Sequence, residues 1–204
     1  MLTNNTTIDT RLQSVLEQHG GGKLLGLFDE QQQCLKDHQN RVARMASIVA
    51  KEMGLSEAQE EAIYVAASLH DIGMQQFSFS PSISKDNQLA MMERFRKHPE
   101  IGAKLVKDIS LSVPVDQIIL QHHERLDGSG FPNKIKKIMI ESQVIAVVDI
   151  LDGVYSLHAS KPDVALVHSC DEIYEMRHGL LDPVIIDITI LLAKGSKLPL
   201  ERLS

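Results

Sequence analysis

The stretch Ile63–Gly73, which reads IYVAASLHDIG, joins an apolar helical pattern to a histidine–aspartate pair. Apolar residues and His70 recur at helical spacing, so the imidazole falls on the face that should be buried. The helix is predicted to begin after Ser56, because Gln59 three residues later completes a capping box. A buried imidazole followed at once by a carboxylate is therefore the feature that the fold must accommodate.

A longer amphipathic helix is predicted from Asp29 to Met53, with Gly54 as its C-terminal cap. His38 lies on its apolar stripe, which is formed by Leu35, Val42, Met45 and Val49. Further helices are predicted over Thr10–Gln18, Asn87–Lys97, Pro99–Asp108, Val115–Glu124, Val144–Val154, Pro162–Met176 and Pro183–Lys194. The stretch Gln75–Asp86 is predicted to be a loop.

No convincing period-two strand interrupts this pattern, so the fold class is predicted to be all-α. Gly20–Gly22 is interpreted as a hinge after the first short helix. We therefore expect an N-terminal helical extension over 1–28 and one domain over 29–204.

The composition limits the classes of function. The chain has 204 residues, of which 43% are hydrophobic, and its formal net charge is -6. That charge argues against a nucleic-acid polymer as the main partner, since polymers are bound by broad basic surfaces. Apolar runs such as Val144–Val148 are too short to span a bilayer, and the polar start Met1–Asp9 does not resemble a signal peptide. A cytoplasmic protein without a membrane segment is expected, with Cys34 and Cys170 reduced.

Asp149 lies inside the apolar run IAVVDIL at 145–151. A carboxylate there cannot stay charged without a partner, because its desolvation would cost several kcal/mol. A metal ion is one such partner, and neutral imidazoles are its usual companions. Two simpler explanations stay open: Asp149 could pair with an arginine such as Arg41, and each histidine could be a hydrogen-bonded core residue. The metal is favoured because four predicted helices each present a histidine or aspartate on an inward face.

Five stretches, in order, resemble one known family. His38–Val42 and Leu69–Gly73 look like the HD-domain superfamily of metal-dependent phosphohydrolases. HPEIGAKL, from His98, is similar to the HPxxGxxLL element of the HD-GYP branch, and HHERLDGSGFP, from His122, resembles the HHExxDGxGYP signature. Val144–Asp149 matches the buried helix that carries the last aspartate of the family. The chain is identified as a divergent HD-GYP member, which implies an HD-type helical bundle around a central dinuclear metal site.

The resemblance also implies the ligands. One metal is expected to be held by His38, His70, Asp71 and Asp149, and a second by His98, His122 and His123, with Asp71 bridging the two. Iron or manganese is favoured, and the implied nucleophile is a hydroxide between the metals, with His70 and Asp71 at the catalytic centre. Some members hold a third metal through a glutamate one turn before the first histidine. Cys34 occupies that position, so two metals are expected.

The resemblance places the substrate next to the glycine-rich turn. Arg125, Asp127, Gly128, Gly130 and Lys134 are predicted to form the substrate side of the site, with the glycines allowing close backbone approach. The simpler readings are a plain turn and a solvated lysine face. In the family this segment is also linked to diguanylate cyclase (GGDEF) domains, which are therefore expected partners.

Two departures from the family pattern concern the substrate. Met74 stands where the family has a lysine that contacts phosphate, and the loss of that cation is expected to cost about 2–4 kcal/mol in the transition state. Leu157–Ser160 replaces a basic-Pro-Tyr segment. Three hypotheses follow: a cyclic di-GMP phosphodiesterase yielding pGpG or GMP, a regulatory module that binds metal or nucleotide without turnover, and a phosphohydrolase for another nucleotide.

Overall fold

The computed structural model describes residues 9–76 and 85–200, and every regular element within these ranges is helical. The predicted all-α class is confirmed. The α-helices are α1 (Thr10–Gln18), α2 (Lys23–Asp29), α3 (Gln33–Glu52), α4 (Glu57–Leu69), α5 (Lys85–Val106), α6 (Val115–Gln121), α7 (Ile140–Leu157), α8 (Pro162–Glu175) and α9 (Pro183–Lys194). A 3₁₀ segment, Ile72–Gln76, follows α4.

The helix ends follow the capping residues of the sequence. Ser56 and Gln59 form the predicted reciprocal capping box at the start of α4. Gly54 takes the left-handed conformation, with φ of +71°, just after α3, as a glycine past a helix end commonly does. These local signals need no tertiary contact, and for that reason they could be predicted from sequence.

Two predictions for individual elements were wrong, and one helix was not predicted. Asn87–Lys97 and Pro99–Asp108 are not separate helices, because α5 runs through Pro99 without a break. The segment after the glycine hinge forms α2, whose Leu24 and Phe28 are one turn apart and buried. The predicted loop Gln75–Asp86 was too long, because its first two residues belong to the 3₁₀ segment and its last two belong to α5. Its middle, 77–84, lies outside the described residues.

The core is centred on α7, which packs on α3, α4, α8 and α9. Its Val144, Ile145, Val147 and Val148 are fully buried. The helix α3 also packs along α4, while α5 packs on α6 and on the 3₁₀ segment. This arrangement brings the inner faces of α3 and α7 together with the C-terminal ends of α4 and α6.

The N-terminal helices share this core. Leu12, Leu16 and Phe28 are fully buried in the same cluster as α3 and α4, and Arg11 forms an ion pair with Glu60 of α4 at 2.7 Å. The packing therefore marks no boundary at residue 28, and the division into 1–28 and 29–204 stays a prediction. Within the described ranges, no helix is both long enough and apolar enough to cross a membrane.

Candidate metal centre

The seven predicted metal ligands come together at the centre of the bundle. Two groups of three have their potential ligand atoms within 4.8 Å of one another. The first group is His38, His70 and Asp71, and the second is His98, His122 and His123. Asp149 adjoins the first group, because its Oδ1 lies 3.0 Å from His38 Nε2.

Asp71 stands between the two groups. Its Oδ2 lies 3.6 Å from Nε2 of His70, and its Oδ1 lies 3.1 Å from Nε2 of His98. One carboxylate oxygen therefore faces each group, which is the arrangement that a bridging ligand requires. Gly73 permits it, since a Cβ at that position would overlap the carbonyl oxygen of His98.

Three of the histidines are oriented by backbone carbonyls three residues earlier. Nδ1 of His70 donates to the Ala67 oxygen at 2.8 Å, and Nδ1 of His122 donates to the Ile119 oxygen at 2.6 Å. Both histidines cap the C-terminus of a helix, where carbonyls have lost their intrahelical partners. With Nδ1 carrying the proton, Nε2 of each neutral ring presents a lone pair to the site.

His98 reaches the same geometry inside a helix because of Pro99. Proline has no N–H, so the Phe95 carbonyl, four residues earlier, receives no bond from position 99. Nδ1 of His98 donates to this carbonyl at 2.6 Å. The proline thus supplies the acceptor that fixes the orientation of its neighbour.

His38 depends on a side chain instead. Its Nδ1 lies 2.7 Å from Oδ2 of Asp152 on α7, and Arg41 grips the same carboxylate at 2.8 and 2.9 Å. The alternative pairing of Arg41 with Asp149 was wrong as an explanation of that buried aspartate, since His38 and His70 are the groups beside it. Sequence reasoning missed Asp152. Its spacing of three residues from Asp149 on one helix was the available signal.

The donor set has unsatisfied positions that suit cations. Nε2 of His98 and Nε2 of His122 face each other at 3.2 Å, although both rings use Nδ1–H for backbone carbonyls. Nε2 of His70 is buried without a hydrogen-bond partner. Ligands about 2.0–2.2 Å from a metal lie roughly 3.0–3.6 Å from one another in octahedral or tetrahedral geometry, which matches these separations. The residues of each group are therefore of a kind and spacing that could hold a metal ion.

The imidazoles and carboxylates of the first group stabilise opposite charges on one another. Burial lowers the pKa of His38, but hydrogen bonds to Asp149 and Asp152 outweigh burial and raise it to about 10. The pKa of His70 is likewise raised, because Asp71 and Asp149 outweigh its burial. Burial raises the pKa of Asp149, yet the contact with His38 at 3.0 Å and the nearby His70 imidazole hold that pKa well below its usual range. In the metal-free protein, protons on the imidazoles therefore balance the carboxylates.

The second group is neutral. Burial lowers the pKa of His98 and lowers that of His122 well below its usual value. Burial also brings the pKa of His123 to about 3. These imidazoles hold no proton on the ligand nitrogen at neutral pH, and they are ready to bind a cation.

A cavity of about 560 Å³ opens beside the two groups. His38, Asp71, His123 and Asp149 form its floor, and Arg125 contributes a cation. The remaining lining includes the carboxylate of Glu172 on α8 and apolar side chains of α5, of α7 and of the residue after α8: Phe95, Ile150, Val154, Leu157 and Met176. A floor of potential metal ligands, a guanidinium and largely apolar walls are suited to a ligand that joins phosphate to flat rings.

Arg125 is the one predicted substrate residue among those that line this cavity. Asp127 is exposed and accepts a bond from the Ser129 amide at 2.8 Å, while Gly128 has φ of +84°. A Cβ on Gly130 would meet the backbone of 123–125 at 2.5 Å, so only glycine lets the turn pack there. Substrate contacts by these residues and by Lys134 stay predictions.

The turn also supports a ligand. Phe131 stacks on His123 with ring centroids 4.6 Å apart, and its amide donates to the His123 carbonyl at 3.2 Å. Glu124, which is fully buried, accepts amide bonds from Asn133 at 2.6 Å and Ile135 at 3.1 Å. Sequence reasoning assigned no role to Glu124, which fastens the loop behind the second group.

The departures from the family pattern border the site. Met74 lies in the 3₁₀ segment, where its amide donates to the Asp71 carbonyl at 2.8 Å. Cys34 is exposed one turn before His38. Leu157 keeps 81% of its surface exposed at the rim of the cavity. The expected cost of Met74 and the expectation of two metals stay predictions.

Comparison with known proteins agrees with this architecture. The HD domain family matches residues 26–185. The chain is 32% identical over 155 residues to the cyclic di-GMP phosphodiesterase response regulator RpfG of Xanthomonas campestris, covering 72% of this chain and 40% of that protein. It is 31% identical over 167 residues to a cyclic di-GMP phosphodiesterase of Thermotoga maritima, covering 77% and 44%. The chain thus spans less than half the length of these curated relatives.

A solved structure shows the same fold. The structure of a cyclic GMP-AMP specific phosphodiesterase of Vibrio cholerae superposes with a TM-score of 0.63 at 16% identity, covering 92% of this chain and 48% of that one. The family match spans most of the chain, and the sequence motifs occur in the order of one branch. The chain therefore belongs to the HD-domain family and carries the motifs of its HD-GYP branch.

Proposed function

We propose that this protein is a metal-dependent phosphodiesterase that hydrolyses a cyclic dinucleotide, with cyclic di-GMP as the preferred substrate and pGpG or GMP as product. The observation that carries the proposal is Asp71, whose two oxygens face two groups of imidazoles beside the cavity. The relatives named as cyclic di-GMP phosphodiesterases support the substrate class.

Two divalent ions, with iron or manganese favoured, would be held by the seven ligands named above. When bound, such a pair would lower the pKa of a water molecule and neutralise negative charge on the phosphate. In the hydrolysis, a water oxygen bonds to phosphorus, the bond from phosphorus to the ribose 3′ oxygen breaks, and the proton ends on that oxygen. A linear dinucleotide with a 5′ phosphate results.

The protein's own side chains orient the substrate. Arg125 is the cation of the cavity that can bind a phosphate oxygen, which compensates in part for the lysine replaced by Met74. Phe95, which is 42% exposed, offers a ring next to His98, His123 and Phe131 on which a nucleobase can stack. Together they place the phosphate over Asp71 and a base against α5.

A second candidate is favoured by Met74 and by Leu157–Ser160, which remove two contacts expected for cyclic di-GMP. The protein would then act on another nucleotide, such as cyclic GMP-AMP, on which the Vibrio cholerae protein of the same fold is named to act. Alternatively, it would bind metal and nucleotide as a regulatory module. For each of these candidates we also propose that the protein is cytoplasmic and that GGDEF domains are its partners.

The test is a substrate panel. Anaerobically purified protein, loaded with iron or manganese, is incubated with cyclic di-GMP, cyclic GMP-AMP and cyclic di-AMP, and products are separated by chromatography. Preferred formation of pGpG supports the proposal, and preferred cleavage of another member assigns the second candidate. His70→Ala should abolish turnover, whereas His178→Ala, a change of an exposed histidine outside both groups and outside the cavity lining, should not. Binding without cleavage by a fully loaded chain would leave the regulatory module.

A further inference from the structure

We propose that Asp152, clamped by Arg41, is a positioning residue that holds His38 and sets the metal affinity of the first group. The inference rests on the two-metal site of the proposed function. It concerns a carboxylate that touches neither the cavity nor the second group in the described structure, and its contacts run through His38 alone among the seven ligands.

His38 lies inside a helix and, unlike His98, is not followed by a proline. It occupies the second turn of α3, Gln33–Glu52, where backbone carbonyls are used by the amides four residues on. The free carbonyls that orient His70, His98 and His122 arise from helix ends or from Pro99. His38 has no such acceptor on its own helix, so its orientation must come from another element.

Asp152 is built for this task. It is 1% exposed, and a buried carboxylate must have its lone pairs satisfied. Nε and Nη2 of Arg41 donate to Oδ1 and Oδ2 at 2.8 and 2.9 Å, and Oδ2 also accepts a bond from Nδ1 of His38 at 2.7 Å. Arg41 is itself tied to Ser156 one turn further along α7, at 3.2 Å. The guanidinium thus fixes the carboxylate at the Nδ1 edge of the imidazole.

The same helix holds both nitrogens of His38. Asp149 and Asp152 are three residues apart on α7, and they lie 3.0 Å from Nε2 and 2.7 Å from Nδ1. Because both residues are on α7, the predicted ligand Asp149 and the positioning residue Asp152 keep a fixed spacing when they contact His38 on α3. Loss of the Asp152 carboxylate should let the His38 ring rotate and lower the metal affinity of the first group. The histidines of the second group keep their contacts, which are backbone carbonyls for His98 and His122 and the Phe131 ring for His123.

The test compares Asp152→Ala and Asp152→Asn with a matched control, Glu60→Gln. Glu60 is also buried and is also gripped by an arginine fork, from Arg11 at 3.0 and 2.7 Å, but it contacts none of the seven ligands in the described contacts. Mn²⁺ binding to the full chain is measured by competition with a chelator. Electron paramagnetic resonance distinguishes coupled pairs of Mn²⁺ from single ions.

Asp152→Ala should weaken one Mn²⁺ per chain by about 10–100-fold and leave the other unchanged, as losses of the outer partner of a ligand histidine do. The coupled-pair spectrum should give way to that of a single ion at limiting Mn²⁺. Asp152→Asn, which can still accept the Nδ1–H bond, should lose less Mn²⁺ affinity than Asp152→Ala. Asp152→Glu should likewise bind Mn²⁺ more tightly than Asp152→Ala. Glu60→Gln should bind two ions as the unaltered protein does.

Two undiminished affinities in Asp152→Ala would overturn the proposal. Should that variant not fold, as judged by circular dichroism, Asp152→Asn decides alone, and unchanged binding there is equally contradictory. Equal weakening of both ions would also contradict it, since Asp152 would then act on the whole bundle. Mn²⁺ binding to the unaltered chain is measured first. If that chain binds fewer than two Mn²⁺, the proposed two-metal function is contradicted, and the variants do not test the role of Asp152.

Discussion

Pro99 lies inside α5 and leaves a backbone carbonyl free to orient His98. It removes one hydrogen bond from α5, at a usual cost of about 3 kcal/mol, yet it leaves the Phe95 carbonyl to His98 at 2.6 Å. We predict that Pro99→Ala raises the free energy of unfolding of the metal-free protein by about 1–3 kcal/mol. It should also weaken one metal by roughly tenfold, because the new amide competes for the carbonyl.

Chemical denaturation and metal competition check the two halves of this prediction. A variant that gains stability and keeps both metal affinities would show that the Phe95 carbonyl does not orient His98.

Metal binding should release protons from the first group. The pKa of His38 is raised to about 10, and that of His70 is raised above 6.5, so both imidazoles are protonated at pH 6 in the metal-free protein. A metal ligand must be deprotonated. Saturation with Mn²⁺ at pH 6 should therefore release about two protons per chain, and affinity should rise with pH until His38 loses its proton near pH 10.

Calorimetry in two buffers of different ionisation enthalpy measures this release. The second group should contribute none, because burial keeps the pKa values of His98, His122 and His123 low. A binding enthalpy independent of the buffer would contradict the electrostatic account of the first group.

The residue-scale details were only partly predictable. The identities of the seven candidate ligands came from motifs in the sequence, and the structure brings those residues together. The contacts of Asp152 with His38 and Arg41 could not be predicted from sequence motifs. They join helices α3 and α7 across 114 residues for His38 and 111 residues for Arg41. The protonated nitrogen of each ring likewise depends on which carbonyl the folded backbone leaves free.

Close contact between the 3₁₀ segment and α5 fixes the distance between the two groups. A Cβ on Gly73 would overlap the His98 carbonyl and lie 2.8 Å from the Gly102 amide. Gly73→Ala should therefore lower the free energy of unfolding by about 1–3 kcal/mol. It should also abolish the coupled signal of a metal pair by moving Asp71 away from His98.

Gly26→Ala is the matched control, because a Cβ there meets no atom within 4 Å. That change should stabilise α2 by up to about 1 kcal/mol and leave metal binding unchanged. A Gly73→Ala protein with an intact metal pair would mean that the close approach does not position Asp71.

Elements with strong caps were predicted well, and elements set by tertiary contact were not. The bounds of α1 and α9 agree with the pattern, and the capping box starts α4 as expected. The helix α5 was divided at Pro99, because an interior proline usually ends a helix. Packing against α6 and the 3₁₀ segment keeps α5 continuous, and no local signal of the sequence reports that packing.

The N-terminal helices and the rest of the described bundle share one cluster of buried residues. Leu12, Leu16 and Phe28 are fully buried against α3 and α4, and each buried side chain of this kind is worth about 1.5–3 kcal/mol. A chain beginning at residue 29 should therefore lose several kcal/mol and melt at least 10 °C lower. Thermal unfolding followed by circular dichroism measures this. Unchanged stability would instead support an independent extension over 1–28.

The overall charge of -6 does not determine what the cavity binds. It disfavours a long polyanion, whereas two metal ions and Arg125 would make the cavity floor locally positive for one small anion. The central claim is that this floor hydrolyses cyclic di-GMP, and the most direct measurement is the rate of pGpG formation by the manganese- or iron-loaded protein beside Asp71→Ala. We predict turnover that Asp71→Ala abolishes. No pGpG from a chain carrying two metals would contradict the account.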